Sequence, residues 1–354
     1  MIGWWVPGPV SKEVRRAIER LASAGDVVRV AVMPDVHLAE EVCVGIAVAT
    51  RTRIYPAAIG GDVGCGVDAL PLGVDADALD RVARQVLDGF ARAVPTERGR
   101  GEALDLPWSD ERLARHAARE GRAQLGTLGS GNHFLELARD DTGELWMLVH
   151  SGSRAIGPAV GRHHSEHAAV DPTGLRYVEG DARDVLLADL ASAEAWATAN
   201  RQEIRRRALE VLGEVLPVAP GDPITCSHNH VRREGELWVH RKGAIPAGEG
   251  VAGVIPGSMG ATTYVVEGRG VAEALGSSSH GAGRQMSRAE AHARIRVREL
   301  EAQMRGVWFD ERRARQLVDE APAAYKDIGR VMKAQRELTR IVARLQPLLN
   351  YKGR

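Results

Sequence analysis

The sequence predicts an α+β protein of complex, mixed topology, folded as one compact domain over residues 1–354. Short apolar runs of strand character and longer stretches of helical spacing interleave irregularly, not as repeating strand–helix–strand units. The residues suited to chemistry are spread from Asp62 to the last residues, so one site would draw on most of the chain. No internal repeat or low-complexity linker divides it.

Residues 27–33 (VVRVAVM) and 42–49 (VCVGIAVA) are continuous apolar runs and read as buried strands, with a strand-end loop at 34–37 between them. Residues 54–59 lead into the glycine-rich stretch 60–66. Leu79, Val82, Val86, Leu87 and Phe90 share one face of a helix over 75–93. A second helix covers 110–123 and ends before Gly126. Residues 145–149 form a strand running into His150, and a long helix follows over 191–216, with Arg201 and Arg205 to Arg207 on its polar side. Residues 224–230 and 237–240 pair as a hairpin about the turn Arg233-Glu234-Gly235. The glycine-dense stretch 248–270 is strand-like. The C-terminal part reads as helical over 287–305, 311–317 and 328–345, the last stopped by Pro347.

The 354 residues suffice for a sizeable core. A net charge of +0 and a pI of about 7.2 exclude a global nucleic-acid coat, so any nucleic acid must be held by a local basic patch. Aromatics at 4% argue against a base-stacking surface. Cys43, Cys65 and Cys226 are too scattered for a disulfide framework, which points to a reducing cytosol. The first residues lack a signal-peptide pattern, and no run reaches the roughly eighteen apolar residues of a membrane span. A cytoplasmic protein with no membrane partner is expected.

Asp62 and Cys65 stand three apart in GGDVGCG (60–66). A thiolate beside a carboxylate is unfavourable unless a cation lies between them. Alone, the pair reads about two to one as a turn residue and a small buried cysteine. Three distant histidine segments rich in Gly, Ser and Asn shift that balance: His133 in GSGNHFLE (129–136), His150 at a strand end before SGSR, and His228 or His230 in SHNH. On a strand the latter two would face the same side, so either could serve. One Cys, one Asp and three His gathered from loops suit one or two first-row transition ions, not a zinc knuckle with closely paired ligands. Softness suggests zinc first; a bridging thiolate also suits manganese or iron.

Residues 276–284 (GSSSHGAGR) surround His280 with small side chains. Such a histidine is structural about two times in three. The other reading is a nucleophilic imidazole attacking a phosphate, with Arg284 balancing charge. The Gly-Lys-Ser/Thr ending of a P-loop is missing. Residues 255–263 (IPGSMGATT) offer hydroxyls and glycine amides to a nucleotide, although a plain turn is the commoner meaning of such a stretch.

Taken together the motifs resemble the RtcB family of RNA-splicing ligases: PDVH (34–37), GGDVGCG (60–66), GSGNHFLE (129–136), HSGSR (150–154), SHNH (227–230), VHRKGA (239–244), PGSMG (256–260), SHGAGR (279–284), DEAPAAYKDI (319–328) and a terminal YKG (351–353), in family order. The resemblance implies central mixed or antiparallel sheets flanked by helices. It implies an RNA ligase that joins a 2′,3′-cyclic phosphate or 3′-phosphate end to a 5′-hydroxyl end, using GTP and two manganese ions, in tRNA splicing or RNA repair. GMP would pass through a histidine to the RNA 3′-phosphate. By motif, Asp62, Cys65, His133, His150 and His228 would hold metal, Cys65 bridging, and His280 would be the catalytic residue carrying GMP. Asn132, His133, Phe134, Leu135, Glu136, His228, Asn229, Pro256, Gly257, Ser258, Met259, Thr263, His280, Gly281, Ala282, Gly283 and Lys352 would surround the nucleotide, Lys352 only if the tail folds back. Arg154 would hold an RNA phosphate and Tyr325 would lie near the base. An activating helper protein is a further implied partner. Ser279 stands where the family commonly has Cys, and Ala39 where it commonly has Gly.

Two other classes compete with this reading. A two-metal phosphohydrolase or nuclease would need the metal ligands but neither His280 nor Lys352. A non-catalytic sensor of RNA ends or nucleotides would bind GTP without turning over RNA.

Overall fold

A computed structural model describes residues 1–99 and 101–353. In chain order the elements are β1 (Ile2–Trp4), α1 (Lys12–Ala22), β2 (Val27–His37), β3 (Val44–Thr50), β4 (Gly66–Asp75), α2 (Ala83–Ala93), α3 (Glu111–Gln124), β5 (Phe134–Arg139), β6 (Glu144–Ser151) and α4 (Ile156–Glu166). They continue with β7 (Ala169–Val170), β8 (Arg176–Tyr177), α5 (Gly180–Gly213), β9 (Ile224–Ser227), β10 (Asn229–Glu234), β11 (Leu237–Lys242), β12 (Ala244–Pro246), β13 (Ala252–Ile255), β14 (Thr263–Gly268) and β15 (Ser277–Ser279). The last are α6 (Arg288–Arg294), α7 (Val297–Gln303), α8 (Ala314–Leu317), α9 (Ile328–Ala334) and β16 (Thr339–Lys352). No described helix is long and apolar enough to cross a membrane.

Two sheets frame the molecule. One runs β1-β2-β3-β11-β10 and the other β13-β14-β16-β5-β6-β4-β9. Among the named strands, β1 with β2 is the parallel pair and the others are antiparallel. This is the mixed α+β architecture the sequence predicts. The central strands β5 and β6 are buried on both faces, as their near-continuous apolar runs require. Leu135, Leu137, Met147 and Val149 pack on Val86 and Phe90 of α2 and on Ile204 and Leu212 of α5. On the opposite face Phe134, Ala138 and Leu148 join Val254, Val265 and Val331.

Several expectations are corrected. The stretch 34–37 is the end of β2, not a loop, although its pairing with β3 shifts register between Val32 and His37. The helix expected over 75–93 opens as a 3-10 segment, Ala76–Arg81, and becomes α-helical only at Ala83. The helix over 287–305 breaks into α6 and α7 around Ile295. The largest departure is 328–345: the helix stops at Ala334 and residues 339–352 form β16. Thr339, Leu345 and Pro347 point inward while Arg340, Val342, Arg344 and Gln346 point out, a period of two in which β-branched residues are at home. Pro347 does not end the element. It sits where β16 leaves β14 and takes β5 as its partner, beside a register irregularity. The helices α1 and α4 and strands such as β4 and β5 have no counterpart in the sequence reading.

The helix α5 starts at Gly180, well before the expected residue 191. Its Arg201 is 1% exposed, not on a solvated face. Its guanidinium meets Asp68 Oδ1 at 2.9 Å and donates to the carbonyls of Gly64 (2.8 Å) and Ser151 (3.2 Å). Next to it, Asn200 accepts from the Gly126 amide at 2.7 Å and donates to Thr127 O and Ser151 Oγ. The interior of α5 therefore holds the loops that end β6 and precede β4. Removing one partner of a buried pair leaves an uncompensated charge, so Arg201→Ala should cost about 3–5 kcal/mol in denaturant unfolding. Arg206→Ala, on the exposed face of the same helix, should cost less than about 1 kcal/mol.

Candidate active site

The loop between residue 59 and β4 places Asp62 and Cys65. Gly64 has φ +69° and lies so close to Glu194 of α5 that a Cβ would sit 2.9 Å from its Cα. Gly152, after β6, leaves the space that the Asp62 carboxylate fills. Cys65 Sγ lies 3.4 Å from His133 Nε2 and 3.3 Å from His150 Nε2, and His133 Nε2 lies 3.0 Å from Asp62 Oδ2. The His150 ring stands 5.1 Å from that of His228, which is 4.7 Å from that of His280. His150 Nδ1 donates to Asn132 O at 3.1 Å, which turns the lone pair of Nε2 toward Cys65. Among the described residues Cys65, His133 and His150 offer three donor atoms within 4.8 Å of one another, all buried.

Burial, reinforced by neighbouring imidazoles, pushes His150 and His228 well below the ordinary histidine range. Both imidazoles are therefore neutral at physiological pH. Burial and the adjacent Asp62 push the Cys65 thiol well above its ordinary range. A cation among these donors would remove that penalty and stabilise the thiolate. The donor set fits one or two transition ions: the close pair Asp62 and Cys65 is completed by histidines remote in sequence.

His280 follows β15 and reaches β2. Its Nδ1 lies 2.7 Å from Oδ2 of Asp35, a fully buried carboxylate, and its amide lies 3.3 Å from the same oxygen. The carboxylate accepts, so Nδ1 carries the proton and Nε2 keeps a free lone pair. Around it is a cavity of about 330 Å³, within the size range of ligand pockets. At another wall Lys352 Nζ is 2.9 Å from Glu320 Oε2 and 5.5 Å from the Phe134 ring centroid. Asn350 donates to Glu136 Oε2 at 2.6 Å, while Glu136 Oε1 is buried without a partner among the described residues. Burial pushes Glu136 up to about 8, against the pull of Asn350 and Lys352.

The chain matches the family described as "tRNA-splicing ligase RtcB" over residues 17–115 and 105–353. It belongs to the RtcB family. It is 33% identical to the RNA-splicing ligase RtcB of Escherichia coli K12 over 99% of this chain and 96% of the relative. It is 30% identical to the RNA-splicing ligase RtcB of Mycobacterium tuberculosis, covering 91% of this chain and 96% of that protein. The tRNA-splicing ligase RtcB of Archaeoglobus fulgidus is 28% identical over 91% of this chain and 87% of its own.

In this RtcB-family chain the residues carried over for a nucleotide line the cavity, except His133 and Leu135. His133 faces the Cys65 cluster, and Leu135 points to the opposite face of β5, into the core. The expectation that His228 and His230 face alike does not hold, because His228 sits between β9 and β10, where the chain passes from one sheet to the other. His228 turns to the cluster; His230 turns toward Arg241, 3.5 Å away. Lys352 is brought back by the pairing of β16 with β5, where it stands opposite Phe134. Arg284 lines the cavity, but its guanidinium is engaged by Glu320, Tyr325 and the Asp319 carbonyl. Arg154 has a left-handed φ of 57° and donates to Thr96 O. Asp35, Glu320 and Arg288 were not singled out from sequence. Asp35 lies in the PDVH segment, where an acid at a strand end was the available signal.

Glu136 has a direct pH consequence. Its ordinary value is 4.5 and its folded value about 8, so between those pH values the folded state must hold a proton that the unfolded chain has released. That costs stability progressively as pH rises through the window and nothing below it. Glu136→Gln should thus stabilise the free protein by on the order of 1–3 kcal/mol at pH 7. The gain should vanish below pH 4.5, as read by urea unfolding at both pH values.

Proposed function

We propose that this chain is a GTP- and manganese-dependent RNA ligase that joins 2′,3′-cyclic-phosphate or 3′-phosphate RNA ends to 5′-hydroxyl ends. The single observation that carries this reading is His280, held by Asp35 with Nε2 free, one ring away from a cluster of thiol, carboxylate and imidazoles. Its relatives named RNA-splicing or tRNA-splicing ligases support the substrate class.

In this reading His280 Nε2 attacks the α-phosphorus of GTP, forming a P–N bond while pyrophosphate leaves. Asp35 keeps the Nδ1 proton and stabilises the charge that develops on the ring. Two manganese ions, when bound, would neutralise phosphate charge and align the displacement. Asp62, Cys65, His133, His150 and His228 would hold them. Glu136 and Lys352 suit the guanine edge, one accepting from its N–H groups and the other donating to its carbonyl. Asn132, Phe134, Asn229, the 256–259 turn, Thr263 and the 281–283 backbone would enclose the rest. An oxygen of the RNA 3′-phosphate then takes GMP from His280, and the 5′-hydroxyl of the second RNA displaces GMP to close the strand. A cyclic end is first opened to a 3′-phosphate. The chain would act as one domain in a reducing, cytoplasmic setting, where Cys65 stays reduced, and an activating helper protein is part of the reading. The phosphohydrolase and sensor readings leave the His280–Asp35 pair without a task.

Incubation with α-labelled GTP and manganese should give an acid-labile label that His280→Ala abolishes. Asp35→Asn should slow labelling by about 100-fold or more, since the amide lacks the charge that stabilises the developing imidazolium and can also present its NH2 to the ring in place of an acceptor. Full labelling of His280→Ala would sink the assignment of the nucleophile. Cys65→Ala should deplete both metal equivalents by elemental analysis, whereas His228→Ala should deplete mainly one. The decisive substrate test is ligation of a 5′-hydroxyl RNA to cyclic-phosphate, 3′-phosphate and 3′-hydroxyl partners in parallel. Joining only to the 3′-hydroxyl would overturn the reading.

A further inference from the structure

A second group of metal-type donors lies outside the cavity and has no part in the chemistry above. His163 and His164 on α4 and Asp189 on α5 bring one donor atom each within 4.8 Å of one another. His164 Nε2 is 2.7 Å from Asp189 Oδ2, and these side chains are 7% and 1% exposed. The His163 ring packs edge-on against His164 at 5.0 Å and lies 6.2 Å from that of His167. Asp189 is fixed from behind, accepting from the Ser109 amide (2.9 Å) and Ser109 Oγ (2.5 Å) just before α3. This is the hydrogen-bonded support that a metal-binding carboxylate commonly has. The histidines come from one short tract, RHHSEH at 162–167.

We propose that His163, His164 and Asp189 form a zinc site, closed by water, that clasps α4 to α5. Two imidazoles and a carboxylate are borderline-soft donors of the kind zinc takes, three from protein and a fourth from solvent. A tetrahedral zinc spaces its donors about 3.3 Å apart, so the His164–Asp189 contact opens slightly and His163 closes on it. His163 is half-buried and borders a crevice between α3 and α4 lined by Arg112, His116, Arg162 and Glu166, which gives water access. The surrounding charge is mixed: Asp189, Asp110 and Glu166 against Arg112 and Arg162, with Asp110 close enough to feel His163. On binding, the His164 ring carries its proton on Nδ1 and not on Nε2, so that Nε2 offers its lone pair as a neutral imidazole. A simple buried His–Asp tie would need one imidazole, and the second is what the clasp accounts for. The clasp would anchor α4, whose first residue follows directly on the loop 152–155 beside the cysteine cluster.

The test counts metal and does not depend on any ligase activity. Full-length Cys65→Ala, stripped with chelator, is titrated with zinc and, in parallel, with cobalt. We expect one equivalent of zinc, a visible cobalt d–d band and a zinc-dependent rise in Tm. Adding His163→Ala should weaken zinc at least about tenfold and remove the band. Asp189→Asn, which still accepts from Ser109, should do the same without loss of fold. If Cys65→Ala does not fold, the wild-type chain is compared with His163→Ala, and the expected result is one equivalent fewer. Equal zinc uptake with and without His163, or none in a folded Cys65→Ala protein, overturns the proposal.

Discussion

One buried guanidinium underlies the architecture of the site. Arg201 emerges from the middle of α5 and binds Asp68 at the start of β4, the Gly64 carbonyl in the loop that carries Asp62 and Cys65, and the Ser151 carbonyl at the end of β6. It therefore fixes two of the chain segments that supply the cluster. It also acts electrically: its charge favours a thiolate at Cys65 and disfavours a protonated His228. Both effects prepare the donors for a cation; burial opposes the thiolate and reinforces the neutral imidazole. The same residue thus supplies position and charge, and the long helix exists in part to deliver it.

The seam between the two sheets is the second organising feature. Asp35 comes from one sheet, Glu136 and Lys352 from the other, and His228 from the point where the chain crosses between them. His280 directly follows the short ribbon strand β15 and reaches across to Asp35. No single supersecondary unit contains the cavity, so the cavity exists only when the sheets are docked.

Much of this was legible in the sequence where the signal was chemical. Asp62, Cys65, His133 and His150, with His228 or His230, stood out as a set of donors gathered from glycine-rich segments, although the Asp62–Cys65 pair alone favoured a structural meaning; the structure brings His228, not His230, to the others. Where the signal was periodicity, short elements defeated it. Residues 339–352 contain Leu, Ala, Gln and Arg, which suit a helix, yet the alternation of inward and outward residues and the edges offered by β14 and β5 select a strand. The Gly-, Ser- and Asn-rich setting of His133 concealed β5, and with it the fact that Phe134 and Glu136 share a face while Leu135 turns away. Glu320 and Arg288 had no local signal and Asp35 only that of an acid at a strand end, since each acquires its role from a partner remote in sequence: His280 for Asp35, Lys352 for Glu320, and Asp319 or Glu320 for Arg288.

The placement of β16 has a consequence for how the chain is made. This strand is not at the rim of its sheet; it is inserted between β14 and β5, so the two halves on either side of it share no direct ladder. On a ribosome, β5 and β6 can pair soon after they emerge, and β13 and β14 can form their own hairpin, but no ladder links the two until residues 339–352 are released. Such late, long-range pairing is a slow step. Lys352 arrives with the same strand, so a nascent chain holding every cysteine and histidine of the cluster would still lack a completed sheet and one wall of its cavity.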